Sequence, residues 1–284
     1  MPADWIKIAF RVFGSLLVIL GSTYPAVDLR AGDRFTVGWT NNLLTLSHPR
    51  LPGGPVSVFY LEAFLRSGAN QQDWRESVLP HKTVLTEADP KGRWLRFRST
   101  VQPQVTVLHE VRAGTDAVEF RFLLHNQATQ AVDLQWFQPA CIRVAGFTGR
   151  DQQSFVDRSF IFTEHGRTWL RDTGRTVPAR YLGGQVFPMP GVADVEANPR
   201  PIAQTRPVNG LIGCVSADDR WILATASDRT HELFEGVYVC LHSDPHVGGL
   251  QPGEQRVVRA KIYFMPNDPK RLLARYRRDF PHQH

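Results

Sequence analysis

The fold is decided by residues 104–144, which read QVTVLHEVRAGTDAVEFRFLLHNQATQAVDLQWFQPACIRV. Apolar and polar side chains alternate along its first two runs, 104–112 and 118–125, and the turn residues 113–116 separate them. A third alternating run follows at 132–137, and residues 56–65 are predicted to form one further strand. A period of two with glycine-containing turns is typical of half-buried antiparallel strands. The sequence therefore predicts an all-β fold, with His109 buried on the apolar face of the first run.

Length, composition and charge limit the organisation and the partners. The 284 residues are 42% hydrophobic and 21% charged, which suits one large β domain over 32–284. Asp268 and Pro269 fit the start of a short C-terminal helix. The net charge of +6 favours anionic partners, but no nucleic-acid-binding motif is present in the sequence, so nucleic acid is not predicted as a partner.

The N-terminal segment 1–31 differs from the rest of the chain. Lys7 and Arg11 precede an apolar run at 12–20, which is too short for a stable membrane span and suits an export signal. We therefore expect an exported protein, periplasmic or extracellular. Residues 24–26 and 29–31 lack a small-x-small cleavage pattern. An uncleaved anchor, a misplaced start codon and a buried amphipathic helix are the alternatives.

The cysteines and the C-terminal histidines do not show a metal-binding spacing. Cys141, Cys214 and Cys240 each lie in an apolar run, where a free thiol behaves as a small hydrophobe. One disulfide with a spare thiol is the alternative. His242, Asp244 and His246 form a polar group near a predicted strand end, without a recognised ligand spacing. The sequence predicts no metal site and no cofactor.

Sugar-binding side chains are expected in two irregular regions. The polar loop 67–81 carries Trp74, whose indole is a platform for a sugar ring unless it turns into the core. The insertion, defined as residues 167–207, has two Pro/Gly/Arg-rich stretches, 167–184 and 188–207, around a predicted strand at 185–187. Its arginines either hold carboxylates or brace the loop. The predicted substrate-binding residues are Arg66, Trp74, Gln138, Arg180, Tyr181, Gln185 and Arg200.

Three residues are candidates for proton transfer. Glu232 lies beside a histidine and three residues before Glu235, so the two carboxylates supply an acid and a base if the strand bulges at Gly236. His81 and His242 are the other candidates, with a structural, hydrogen-bonded histidine as the alternative for each. The predicted catalytic set is His81, Glu232 and His242.

Two turn motifs connect this pattern with a known family. A strand ends in Leu123-Leu124-His125-Asn126 before a polar turn, another ends at Gln138, and Leu250-Gln251-Pro252-Gly253-Glu254 introduces a long strand. Over 93–264 the chain resembles the galactose-mutarotase-like supersandwich proteins. The resemblance implies two large antiparallel sheets and a sugar-binding face. The Asn-His-x-Tyr-Phe-Asn segment that carries the epimerases' acid histidine is absent from the sequence. The resemblance therefore transfers no catalytic residue.

We expect an exported protein that binds or processes carbohydrate, such as a lyase or an epimerase acting on acidic sugars or an anionic polysaccharide. A non-catalytic sugar-binding module and a structural envelope protein are the alternatives. The position of Glu232 relative to His81 and His242 discriminates among them, because an acid and a base must converge on one substrate.

Overall fold

The computed structural model describes residues 32–281, and the predicted export signal at 1–31 lies outside the described residues. Its helices are α1 (Trp74–Ser77), α2 (Ala145–Thr148) and α3 (Pro269–Asp279), with 3-10 turns at Phe155–Asp157, Leu170–Asp172 and Asp194–Glu196. Its strands are β1 (Thr36–Thr40), β2 (Leu43–Ser47), β3 (Val56–Phe59), β4 (Ala63–Leu65), β5 (His81–Ala88), β6 (Trp94–Val101), β7 (Val105–Ala113), β8 (Ala117–Asn126), β9 (Trp136–Gln138), β10 (Cys141–Arg143), β11 (Ser159–Thr163), β12 (Gly166–Trp169), β13 (Gln185–Pro188), β14 (Ile212–Val215), β15 (Trp221–Ser227), β16 (Thr230–Gly236), β17 (Cys240–Pro245) and β18 (Gln255–Pro266).

The strands form two large antiparallel sheets and one small one. The seven-stranded sheet has the order β1-β2-β3-β10-β17-β16-β13, and the nine-stranded sheet has the order β12-β11-β14-β15-β18-β8-β7-β6-β5. β4 and β9 form a separate pair. One apolar core takes side chains from both large sheets, for example Val58 and Leu241 from one and Phe122 and Ile262 from the other. The predicted all-β sandwich is confirmed.

The predicted C-terminal helix is also present. Asp268 accepts hydrogen bonds from the backbone of Lys270 and Arg271, and Pro269 occupies the first turn of α3. Leu272 and Tyr276 are buried in a second apolar cluster formed with β11, β14, β15 and β18. Within residues 32–281, no helix is long and apolar enough to cross a bilayer.

The alternation in 104–125 forms β7 and β8 in the predicted way. Val107 lies opposite Leu124 and Val111 opposite Phe120, and all four side chains are buried. The intervening residues Glu119 and Arg121 of β8 are exposed. Because successive side chains point to opposite faces of a strand, the apolar set fills the core and the polar set faces water. This polar face is therefore not the floor of the cavity described below.

Two strand predictions were wrong in their extent. The run 132–137 does not continue the meander, because the second edge of β8 is occupied by β18, with Gln255 opposite His125. Only Trp136–Gln138 is a strand, and it pairs with β4. The run 56–65, predicted as one strand, divides into β3 and β4, which belong to different sheets. Periodicity cannot show these breaks, since they depend on which strand occupies each edge.

The two turn motifs that carry the family resemblance contact each other. The buried Asn126 side chain donates to the carbonyls of Leu250 and Gln251 at 3.0 Å and of Gln130 at 2.9 Å. Its carbonyl oxygen accepts from Ala128 N at 2.9 Å. The Asn126 backbone also pairs with Gly253 N and Glu254 O. One asparagine therefore joins the end of β8 to the turn that starts β18.

We expect Asn126→Ala to lower the free energy of unfolding by about 2–3 kcal/mol, because buried carbonyls and an amide lose their partner. Denaturant unfolding measures the change. The control is Gln127→Ala at the exposed neighbouring position. If both variants unfolded at the same denaturant concentration, the asparagine would not hold the two turns together.

His109 is buried and hydrogen-bonded, as its place on the apolar face predicts. Tyr60 Oη lies 2.5 Å from Nδ1, and Ser99 Oγ lies 3.0 Å from Nε2. Phe97 and Phe122 stack on the two sides of the ring at centroid distances of 5.2 and 5.7 Å. Burial lowers the pKa of His109 to about 3 from its usual 6.5. The neutral ring is therefore part of the core.

This pKa predicts acid sensitivity. Between pH 6.5 and about 3 the unfolded chain binds a proton at His109 that the native protein does not, so acidification favours unfolding. The stabilisation is fully present above pH 6.5 and is lost as the pH falls towards 3. We expect His109→Gln to flatten the pH dependence of the unfolding free energy by on the order of 1 kcal/mol per pH unit. His165→Gln, at a side chain that is 84% exposed, is the control. The prediction would be refuted if the unfolding free energy changed equally with pH in the wild type, His109→Gln and His165→Gln.

Candidate functional site

A cavity of about 540 Å³ lies on the face of the seven-stranded sheet that is turned away from the core, beneath the insertion. Sheet residues at its base include Gln138, Cys141, Phe234, Cys240 and His242, and residues of the insertion at its wall are Tyr181, Asn198 and Arg200. The cavity is also lined by Glu62, Trp74, Arg75, Gly236 and Tyr238. Its size is that of pockets for small ligands.

Strand register explains why these side chains meet. In the pairing of β16 with β17, Phe234 lies opposite His242 and Gly236 opposite Cys240, so their side chains share a face. β10 flanks β17 on its other edge, with Ile142 opposite Leu241, which places Cys141 beside His242 on that same face. The alternate residues, such as Leu241, enter the core. The cavity base is therefore the polar half of these strands.

A buried ion pair lies at the base of the cavity. His242 Nδ1 is 3.6 Å from Asp244 Oδ1, and Gln138 Nε2 donates to Asp244 Oδ2 at 3.0 Å. Burial is the largest single influence on His242 and disfavours the charged imidazole, but the adjacent Asp244 carboxylate and the Cys141 sulfur together outweigh it and raise the pKa of His242 well above its usual value. Gln138 thus orients Asp244, and Asp244 orients the histidine.

Glu232 lies behind this pair and does not line the cavity. It is fully buried, and Oε2 accepts a hydrogen bond from Asn198 N at 3.0 Å. Burial, and then the neighbouring Asp244 charge, raise the pKa of Glu232 well above its usual value. The bulge at Gly236 that joint action of Glu232 and Glu235 would require is absent from β16, whose irregularity lies between Thr230 and Glu232. Glu232 therefore braces the insertion against β16.

Glu62 is the carboxyl group that faces the cavity. It lies between β3 and β4, where the chain leaves the seven-stranded sheet, and its backbone N donates to Gln138 O at 2.9 Å. The residue is half-buried, and Oε2 has no hydrogen-bond partner among the described residues. Burial raises the pKa of Glu62. A carboxyl group with a raised pKa holds its proton more readily than an ordinary one, which suits it to exchange a proton with a ligand.

Aromatic side chains and a guanidinium surround the cavity mouth. Tyr181 Oη donates to Asp73 Oδ2 at 3.0 Å and accepts from Trp74 N at 3.1 Å, which joins the insertion to α1. The Arg200 guanidinium lies 5.7 Å from the Tyr181 ring centroid. Tyr238 is largely exposed at the same mouth. Such flat apolar faces beside polar donors suit a sugar ring.

The structure brings together half of the predicted site residues. Trp74, Gln138, Tyr181, Arg200 and His242 line the cavity. The predictions for Trp74 and Tyr181 depended on where the loop 67–81 and the insertion fold. Both segments lie against the same face of the seven-stranded sheet, so both side chains reach the cavity. The remaining predicted residues are His81, Glu232, Arg66, Arg180 and Gln185, and none of them lines it.

Four of these five residues have structural contacts instead, and that of Glu232 is given above. His81 is on β5, at the edge of the other sheet, where its ring packs 5.2 Å from Phe64, so it does not converge with His242. Both ends of the Gln185 amide bond the backbone of Thr176, and Arg180 donates to Gln71 O at 3.1 Å. Arg66 is exposed just after β4.

Among the cavity residues that sequence reasoning missed, three bear on its chemistry: Glu62 as the acid, and the pair Cys141 and Cys240. Cys240 and His242 are two residues apart on one strand, which is a signal that they share a face. The position of Cys141 beside them depends on the pairing of β10 with β17, and nothing in the sequence shows that pairing. The prediction of no metal site did not take this cluster into account.

Comparison with known proteins gives structural likenesses. No protein-family model matches the chain, and no curated protein matches it in sequence. A protein of Escherichia coli K12 provisionally assigned as an aldose 1-epimerase has 10% identity and a TM-score of 0.44, over 83% of this chain and 100% of the other. A galactose mutarotase-like protein of Lactobacillus casei has 8% identity and a TM-score of 0.43, over 81% and 99%. A polysaccharide lyase has 9% identity and a TM-score of 0.35, over 82% of this chain and 32% of the lyase.

These structural neighbours belong to the same group of proteins as the resemblance found in the sequence. Identities and TM-scores this low assign no activity to the chain. What the cavity does has to be argued from its own side chains.

Proposed function

We propose that this protein processes carbohydrate, with a saccharide bound in the cavity and Glu62 exchanging a proton with it. The observation that carries the proposal is Glu62 itself, a half-buried carboxyl group with a raised pKa. One of its oxygens has no partner within residues 32–281, and it faces a cavity with aromatic side chains at its mouth. A buried carboxyl oxygen without a partner costs stability, so it is expected where a ligand supplies the partner.

The lining suits a sugar in two ways. Trp74, Tyr181 and Tyr238 offer ring faces to the apolar side of a pyranose, while Gln138 and Asn198 line the same cavity as amide side chains. Arg200 and Arg75 add positive charge to the lining. Arginine holds a carboxylate through parallel hydrogen bonds, so an acidic sugar is the proposed substrate class.

Glu62 fits two reactions on such a sugar. In ring opening of an aldose, it takes the proton of the anomeric hydroxyl while the bond between the anomeric carbon and the ring oxygen breaks, and it passes that proton to the ring oxygen. In elimination from a uronate, it takes the proton beside the carboxyl group while a guanidinium stabilises the enolate charge. The bond to the leaving sugar oxygen then breaks as the double bond forms, and Glu62 gives the proton to that oxygen. Export, predicted from residues 1–31, stays a prediction. An exported protein would meet polysaccharides outside the cytoplasm.

The experiment follows both reactions with the full chain. Exchange NMR measures anomer interconversion of neutral and acidic aldoses, and ultraviolet absorbance detects unsaturated uronates released from uronate polymers. Turnover that is faster with acidic sugars than with neutral ones supports the proposal. Saccharide binding without either reaction would contradict proton exchange by Glu62 and indicate a non-catalytic module. No binding and no turnover would contradict the whole proposal.

A further inference from the structure

Three metal-ligating side chains meet at the base of the cavity. Cys141 Sγ, Cys240 Sγ and a ring nitrogen of His242 lie within 4.8 Å of one another, and all three residues are buried. Cys240 Sγ is 3.5 Å from His242 Nε2. They come from two paired strands, β10 and β17, so the backbone holds them in place. Neither cysteine forms a disulfide.

This spacing is close to that of a tetrahedral zinc site. Zinc–sulfur bonds of about 2.3 Å and zinc–nitrogen bonds of about 2.0–2.1 Å place neighbouring ligand atoms roughly 3.5–3.8 Å apart. The Cys240–His242 distance already has this value. The remaining pairs need to close by at most about 1 Å, which rotation of a cysteine side chain can supply.

The residues around His242 supply the hydrogen-bonding groups that orient a metal-bound histidine. A metal-bound histidine usually donates its other ring N–H to a carboxylate, which fixes the ring. Here Nδ1 is 3.6 Å from Asp244 Oδ1, and neither atom has a hydrogen-bond partner among the described residues. Gln138 holds the other carboxylate oxygen of Asp244. Closing this short gap satisfies two buried polar atoms at once.

Gly236 keeps the cluster open towards the cavity. A Cβ atom at this position would lie 2.5 Å from Cys240 Sγ and 3.4 Å from His242 Nε2. Glycine therefore leaves space beside two of the ligand atoms. Since Gly236 and all three ligands line the cavity, a bound ion is reached from the same space as Glu62.

We propose that Cys141, Cys240 and His242 bind a zinc ion whose fourth coordination position opens into the cavity. Two thiolates and an imidazole favour zinc over magnesium or calcium, which prefer oxygen ligands. Three protein ligands with an open position are typical of a zinc ion that contacts substrate. That the fourth ligand is a sugar oxygen rests on the proposed function, whereas zinc binding does not. His242 is then a ligand, and Glu62 is the proton-exchanging group.

The test measures zinc in the full chain after expression with added zinc, by mass spectrometry of the metal content. We expect about one zinc per chain, because the cluster offers one tetrahedral site. Replacement by cobalt is expected to give thiolate-to-cobalt charge-transfer absorption, which reports sulfur ligands directly. Cys141→Ser and Cys240→Ser are expected to lose the ion and the absorption. Cys214→Ser is the matched control, since Cys214 is a buried free cysteine on β14 of the other sheet.

Asp244→Asn tests whether the Asp244 carboxylate orients His242 for zinc binding. It should weaken zinc affinity by roughly 10–100-fold, as loss of such an orienting carboxylate does. Gly236→Ala should weaken it by crowding Cys240, while circular dichroism confirms that each variant folds.

Four results would overturn the proposal: a zinc-free protein that also fails to take up cobalt, equal zinc in the serine variants and the control, a Cys141–Cys240 disulfide in the isolated protein, or copper in place of zinc. Glu62→Gln separates the two proposals, because it should lower turnover and leave the zinc content unchanged.

Discussion

Glu62→Gln is expected to lower kcat/KM by roughly 10²–10⁴-fold for whichever saccharide the wild-type protein turns over, since this is the usual contribution of a positioned acid or base. The amide has nearly the same shape but cannot take up or release the proton. The dissociation constant for the sugar should change little, because the aromatic mouth and Arg200 are intact. Steady-state kinetics together with calorimetric binding separates the two effects.

The pH profile gives a second readout of the same residue. Burial raises the pKa of Glu62, so activity that needs its ionised form should decline at a higher pH than for an ordinary carboxyl group. Glu76→Gln is the control, since Glu76 is an exposed residue of α1 near the mouth. If Glu62→Gln kept wild-type turnover, or lost binding and turnover to the same degree, Glu62 would not be the proton-exchanging group.

Arg175→Met is expected to lower the free energy of unfolding by about 3 kcal/mol, because it leaves a buried carboxyl group unpaired. Arg175 holds Glu235 with two hydrogen bonds, of 2.7 and 3.0 Å. The Glu235 side chain is only 3% exposed, while that of Arg175 is 37% exposed. This pair fastens the insertion to β16, so its loss should also weaken sugar binding at Tyr181 and Arg200.

Two comparisons test the cause of that loss. Burial raises the pKa of Glu235 while Arg175 opposes the rise, so the variant should take up a proton there. Native protein that binds more protons than unfolded protein loses stability as the pH rises, so the loss should be larger in mildly alkaline than in mildly acidic solution. The double variant Arg175→Met with Glu235→Leu should recover most of the stability. A double variant as unstable as Arg175→Met would show that packing, and not the unpaired charge, is responsible.

Glu232 and Glu235 show what spacing alone can and cannot decide. Three residues apart on a strand, they must point to opposite faces, so they could not act together without a bulge between them. The strand is irregular before Glu232 and not at Gly236. One carboxyl group therefore braces the insertion through Asn198, and the other anchors it through Arg175. The acid that faces the cavity is Glu62, where the chain crosses between sheets.

The sequence by itself determined the strand pattern, the buried state of His109, the C-terminal helix and the turn motifs joined by Asn126, because each depends on local periodicity or turn chemistry. It also indicated Trp74, Gln138, Tyr181, Arg200 and His242. Tertiary structure alone decided that β10 lies beside β17, which brings Cys141 to Cys240 and His242. It also placed His81 on the nine-stranded sheet, away from His242. Contacts between distant segments depend on strand order and register, and no local sequence pattern encodes either of them.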